Sequence, residues 1–203
     1  MYNPKYFKSE ETDSAFALMD RYPFATIVTS LNGEIAVSHL PLTPKKIGDQ
    51  IVVIGHLSRA NSHWKAFEKG STTIIFHGAH TYVTPQWYPD GGVPTWNYSV
   101  VHARGRVELV DTHEELVSCL KDLTAHAERH WPSGWEFSIP SDLPGDALVK
   151  SIVGFRMTVD SLDFKQKLSQ NRTEAERAGV LQGLATRKDE NSQSVLRDMQ
   201  SLH

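Results

Sequence analysis

One cysteine in 203 residues leaves the chain without any internal disulfide framework. Nowhere do about 18 apolar residues run together, so there is no transmembrane-helix signal. The opening residues, MYNPKYFKSEETD, lack the apolar run of a secretory leader, and a soluble cytoplasmic protein is expected. Positive charge is not in excess either. A net charge of −3 gives no global field that draws the chain to nucleic acid or to an anionic membrane. Missing motifs exclude further chemistries. There is no Walker lysine pattern and no Gly-x-Gly-x-x-Gly fingerprint for nucleotide phosphates. No Gly-x-Ser-x-Gly elbow presents a serine nucleophile. Among ten histidines, His77 with His80 and His126 with His130 have spacings that allow a shared metal. Neither pair has a third ligand nearby, His-Glu-x-x-His and Cys-x-x-Cys are both absent, and no metal site is expected.

What is present is an ordinary globular composition, 39% hydrophobic and 22% charged, in a chain long enough for one substantial domain. Ser9 and the acids after it read as the start of a helix that Pro23 ends. Two β-rich runs, 24–30 and 34–42, are joined through Asn32-Gly33, a strong hairpin signal. A third strand covers 50–57, followed by a short helix closed by Gly70. STTIIFHG and HTYVTPQ supply two strands broken near Gly78, and VPTWNYSVVHARGRVELV (93–110) a long one. Thr112 and Glu115 form a capping box before a helix in which Cys119 shares the apolar stripe with Leu116, Leu120 and Leu123, so it reads as a core residue. DALVKSIVG reads as a short helix, a last strand lies near 155–167, and Thr173 with Glu176 starts a final helix. With no long βαβ alternation, the class is α+β, and a small antiparallel barrel with flanking helices fits the pattern.

Four stretches carry candidate chemistry. In SHLPL, Pro41 stops strand pairing, which leaves either a plain strand end with a half-buried histidine or an exposed Ser38 hydroxyl. GHLSRANSHW places Ser58, Arg59 and Asn61 at a helix start, either as caps and a surface arginine or as an anion cradle. Tyr82, Trp87, Tyr88, Trp96 and Tyr98 are dense enough to pack a barrel end or to wall a flat ligand, with Asn97 and His102 as directional partners. DFKQKLSQNR gathers Lys165, Lys167, Gln170, Asn171 and Arg172, either a solvated strand end or a second donor cluster for an anion.

Taken in order, SHLPL, GHLSRANSHW, TYVTPQWY, VPTWNYSVVHARG and KLSQNR resemble the PaiB family, FMN-binding negative transcriptional regulators named for repression of protease synthesis and sporulation. The resemblance runs from MYNPKYF to about Gly183. It implies an FMN-binding split β-barrel, an antiparallel Greek-key barrel related to that of pyridoxamine phosphate oxidase, over residues 1–185; residues 186–203, outside the resemblance, read by their composition as a polar, helix-prone C-terminal tail. It also implies a homodimer with FMN in the groove between barrels. By position, Ser58, Arg59 and Asn61 would hold the phosphate, with His56 beside them. Ser38, His39 and Leu40 would line the flavin, and Trp96, Asn97 and Tyr98 would wall its ring. Lys167, Gln170 and Arg172 would close the site. Ser62 and Ala79 stand where family members commonly have proline.

The implied role is a negative regulator whose partner is DNA or another regulatory protein, although neither the charge nor any helix-turn-helix signal supports DNA contact. An FMN-dependent oxidoreductase of the pyridoxamine phosphate oxidase or flavin reductase kind is the first alternative, with His56 and His102 as candidate proton-transfer groups. A haem- or tetrapyrrole-handling protein is the second.

Overall fold

In the computed structural model, residues 1–110, 112–129, 131, 134–139 and 145–202 are described. The elements are β1 (Lys8–Ser9), α1 (Thr12–Arg21), β2 (Phe24–Leu31), β3 (Glu34–Pro41), β4 (Thr43–Ile47) and β5 (Gln50–Ser58), a 3-10 turn (Ser62–Ala66) and β6 (Ser71–Val83). A second 3-10 turn (Pro85–Trp87), β7 (Thr95–Val110), α2 (His113–Glu128), α3 (Gly145–Lys150), β8 (Ile152–Lys167), α4 (Glu174–Ala185) and α5 (Glu190–Ser201) follow. The strands run in the order β3-β2-β6-β7-β8-β5-β4, with β1 paired to β8. Two compact units emerge: Met1–Leu18, His77–Val101 and Asp163–His203 form unit one, and Met19–Phe76 with His102–Leu162 form unit two.

In unit two, β2 pairs antiparallel with β3 through Asn32 and Gly33, whose φ values of 52° and 87° suit a tight hairpin turn. Pro41, without an N–H, ends β3 as expected. The strand then resumes as β4, antiparallel to β5, after Leu42 N–H donates to the Pro23 carbonyl at 2.9 Å. The sequence pattern had not indicated β4. Ile27, Val53, Phe67, Ile74, Phe155 and Met157 are fully buried and form the centre of this unit. Helix α2 begins at the predicted Thr112 cap and lays Cys119 and Leu123 against Val52 and Ile54 of β5. Burial pushes the Cys119 thiol up to about 11, which keeps it protonated and inert. The expected helix after Asn61 is only the five-residue 3-10 turn.

In unit one, β1 pairs with β8 at Lys8↔Lys165 and Ser9↔Phe164. Ser9 therefore lies in a strand rather than at the head of α1, which starts at Thr12. β6 passes through Gly78 without a break, so the two predicted strands are one. A side chain at Gly78 would meet Leu18 and Ser99, and their approach accounts for glycine there. The Thr173–Glu176 capping box forms as predicted at the start of α4. Residues 190–201 form α5, whose Val195 and Met199 are fully buried. Thr81 and Ser192 hydroxyls meet at 2.9 Å, tying β6 to α5. Arg177 donates to the Met199 carbonyl at 2.5 Å and the Leu202 carbonyl at 2.9 Å, satisfying two acceptors at the end of that helix. Among the described residues no helix is long and apolar enough to cross a membrane.

Met199→Ala should therefore destabilise the protein by about 2–5 kcal/mol in chemical denaturation. Gln200→Ala, on the exposed side of the same helix, should stay within about 0.5 kcal/mol of wild type. Equal effects would mean that α5 does not pack as described.

Candidate functional site

The first polar cluster lies in unit two. Ser38 faces inward from β3 and is 6% exposed, while His63 in the first 3-10 turn is 4% exposed. The Ser38 hydroxyl lies 2.8 Å from His63 Nδ1 and accepts from Asn61 Nδ2 at 3.0 Å. Asn61 Oδ1 in turn accepts from the His63 backbone N–H at 3.1 Å, which caps the turn. Burial pushes the His63 imidazole below its ordinary value, so it is neutral at pH 7 and carries one ring proton. Its Nε2 is buried without a partner. A proton there would be an orphaned N–H, a costly arrangement, whereas a proton on Nδ1 is donated to Ser38. The Nδ1–H tautomer is favoured on that ground. Ser38 Oγ then accepts from both neighbours, and its own proton is left to donate outside the trio.

The other predicted residues of this unit are distributed differently. Alternation along β3 puts His39 on the face opposite Ser38, exposed, with a ring nitrogen 3.1 Å from Thr26 Oγ1. Leu40 returns to the Ser38 side and is half-buried. The Arg59 guanidinium donates through Nε to the Lys150 carbonyl at 2.8 Å and through Nη2 to the Ile152 carbonyl at 3.1 Å, beside the Trp64 ring. Two of its five N–H groups are thus committed to backbone. The Ser58 hydroxyl accepts from Ala60 N–H at 3.3 Å. His56 shares its β5 face with Val52 and Ile54 and lines an apolar cavity of about 240 Å³ with Pro23, Leu42, Leu123 and His126. Burial pushes its imidazole down as well, and its Nδ1 has no partner. His102 lies farther along β7, half-buried. His130 falls outside the described residues.

Unit one holds the aromatic group. A cavity of about 480 Å³ is lined by His77, Gly78, His80, Trp96, Tyr98, Ser99 and Val100. Trp96 is 52% exposed, with the His80 and Tyr82 rings each 6.1 Å from its own. The Ser99 hydroxyl is buried and unpartnered. Asn97 does not join this wall. It is buried, donating to Ser169 Oγ at 3.0 Å and to Met199 Sδ at 3.4 Å. Lys167 Nζ donates to Thr95 Oγ1 and to the Trp96 carbonyl, the latter at 2.6 Å. Arg172 pairs with Glu176 at 3.1 Å and stacks 4.6 Å over Tyr88. Gln170 spends both ends of its amide on backbone, accepting from Leu168 N–H at 2.7 Å and donating to the Gln166 carbonyl at 2.5 Å. It thereby shapes the bend after β8.

Two residues that sequence reasoning passed over, His63 and Ser169, belong to these clusters. His63 gave no signal beyond its place in a turn. Ser169 holds a left-handed backbone at φ 64°, which local sequence does not announce. Lys165, only 7% exposed, lies between the Tyr2 and Tyr98 rings at about 5.5 Å and donates to the Tyr2 carbonyl.

With this geometry in hand, comparison with known proteins is decisive. The family model described as "Putative FMN-binding domain" matches residues 1–161. The "Protease synthase and sporulation protein PAI 2" of Bacillus subtilis (strain 168) is 32% identical over 199 residues, covering 96% of this chain and 94% of that protein. The chain belongs to the PaiB family. FMN is the cofactor its matching domain names. Two solved structures have the same fold as this PaiB-family chain. The FAD and heme binding protein from Mycobacterium smegmatis has a TM-score of 0.61 at 13% identity, covering 79% of this chain and 73% of that one. The flavocytochrome Anf3 from Azotobacter vinelandii has a TM-score of 0.61 at 17% identity, covering 85% and 75%. The α+β split-barrel expectation is borne out.

The two buried imidazoles make PaiB-family stability here depend on pH. With folded values below the unfolded one, their contribution is present above about pH 6.5 and is lost as pH falls through the folded-state values. The urea midpoint should drop between about pH 7.5 and 5.5, and drop less in His63→Asn. An identical drop in the variant would remove His63 from the account.

Proposed function

We propose that the chain is a flavin-binding negative transcriptional regulator that works as a homodimer. Membership of the PaiB family supports the reading. The observation that carries its ligand half is the cavity walled by Trp96, Tyr98 and His80. Its volume lies in the range of small-molecule pockets, and a planar ring system gains most from a flat aromatic wall with few, placed polar groups. The His80 ring beside Trp96 is one such group. The residues present therefore fit the flavin ring. Within unit two, Ser38 has a hydroxyl proton to donate and Arg59 retains guanidinium N–H groups beyond the two that hold backbone.

Bound FMN would supply the redox chemistry. The chain's own groups bind and orient: His56 and His63 are neutral hydrogen-bonding imidazoles, and Cys119 is a buried thiol. Pairing favours association as well. Phe24, Val28, Ile35 and Val37 lie on one face of the β2–β3 hairpin, with Phe24, Ile35 and Val37 more than half exposed at the edge of the sheet. A second copy would cover that face.

Titrating the purified chain with FMN should quench flavin or tryptophan fluorescence. Trp96→Ala should raise the dissociation constant about tenfold, equivalent to about 1.4 kcal/mol. Arg59→Ala should raise it similarly if the phosphate lies there, and leave it unchanged if not. Failure to take up FMN sinks the cofactor assignment. The regulatory half requires a sequence-specific gel shift that survives physiological salt and responds to FMN. Without one, the oxidoreductase reading takes its place.

A further inference from the structure

The bend after β8, past residue 161 where the family model ends, builds a second polar feature together with Thr95 and Asn97 of β7. A small pocket of about 40 Å³ is lined by Thr95, Asn97, Lys167, Ser169, Asn171 and Arg172. Every lining residue carries a hydrogen-bonding side chain, and two are cations. The volume is that of about three water-sized spheres, too small for a flavin ring and suited to one tetrahedral oxyanion. Its walls are fixed from several directions. Asn97 and Ser169 hold each other at 3.0 Å, the left-handed backbone of Ser169 turns the chain, and Gln170 pins the bend. Arg172 is held over Tyr88 and by Glu176.

We propose that this pocket binds a phosphate-class oxyanion, whether the phosphate of FMN or a free phosphate. Lys167 donates to Thr95 and the Trp96 carbonyl, and its ammonium has a third N–H to give. Arg172 brings a fork matched to phosphate geometry. Burial first, and then the like charges of Lys165 and Arg172, push the Lys167 ammonium below the usual lysine value. An anion in the pocket removes that repulsion. The free-phosphate arm stands without the flavin reading, and the FMN arm rests on it.

The test is calorimetric titration of the full chain with inorganic phosphate, against chloride of equal ionic strength. Wild type should bind, and Lys167→Gln should weaken binding at least tenfold. Because Lys167 also ties Thr95 and Trp96, Asn171→Asp serves as an independent variant: it places a negative charge in the lining and should weaken phosphate at least tenfold too. If the occupant is the phosphate of FMN, inorganic phosphate competes with FMN, and Asn171→Asp abolishes any preference for FMN over riboflavin. If it is free phosphate, FMN-loaded protein still binds phosphate and the variant keeps its FMN affinity. Phosphate uptake without FMN uptake would leave the pocket standing and sink the flavin reading. The proposal is overturned if Asn171→Asp changes neither phosphate affinity nor the preference for FMN over riboflavin.

Discussion

The two-residue period of a β-strand decides what unit one can hold. Along the start of β7, Trp96 and Tyr98 project to one face and Asn97 to the other. Three adjacent residues thus serve two different surfaces. The outward pair walls an aromatic cavity, and the inward amide is sealed against Ser169 and Met199. A one-residue slip in β7 would bury the indole and expose the amide together. The Lys167 bonds to Thr95 and the Trp96 carbonyl fasten the strand at the point where such a slip would begin. Docking of α5 supports it from the inner side through Met199, so the C-terminal helix bears on how the aromatic wall is held.

Unit two meets a different problem, the burial of polar groups. A buried imidazole is tolerable when neutral and hydrogen-bonded. His63 meets the first condition by desolvation and half of the second through Ser38. Asn61 completes the trio while capping the turn that carries His63. The same residue therefore sets the local backbone and orients the Ser38 hydroxyl, in a five-residue 3-10 turn where sequence suggested a longer helix.

Much of the fold was legible because its signals are local. Asn32-Gly33 marks a hairpin, Pro41 ends a strand, and the Thr112 and Thr173 caps mark the starts of α2 and α4. Long-range packing hid the rest. Gly78 reads as a break, yet it belongs to a continuous strand because Leu18 and Ser99 take the space a side chain would need. Residues 186–203 read as polar because buried positions of α5 include Ser192 and Ser194, whose hydroxyls find hydrogen-bond partners in the fold. The candidate residues were found by type and neighbourhood, which sequence shows. Their division among pockets depends on strand parity and on a left-handed bend at Ser169, which it does not. His56 illustrates the gap: adjacent in sequence to Ser58 and Arg59, it instead shares an apolar cavity with α2.

The electrostatics of the two units point to different parts in ligand handling. In unit two burial favours the uncharged form of His56 and His63 and holds Cys119 as a thiol. Such groups discriminate by hydrogen-bond direction and hardly respond to salt. In unit one, Lys165, Lys167 and Arg172 gather like charge, with Arg172 paired to Glu176. A cluster of that kind is destabilising unless an anion joins it, and its effect is felt beyond contact distance. A chain of net charge −3 nonetheless gathers Lys167 and Arg172 around one small polar pocket. The distribution suits a small anionic ligand better than the extended backbone of nucleic acid, which needs a stripe of cations rather than a point.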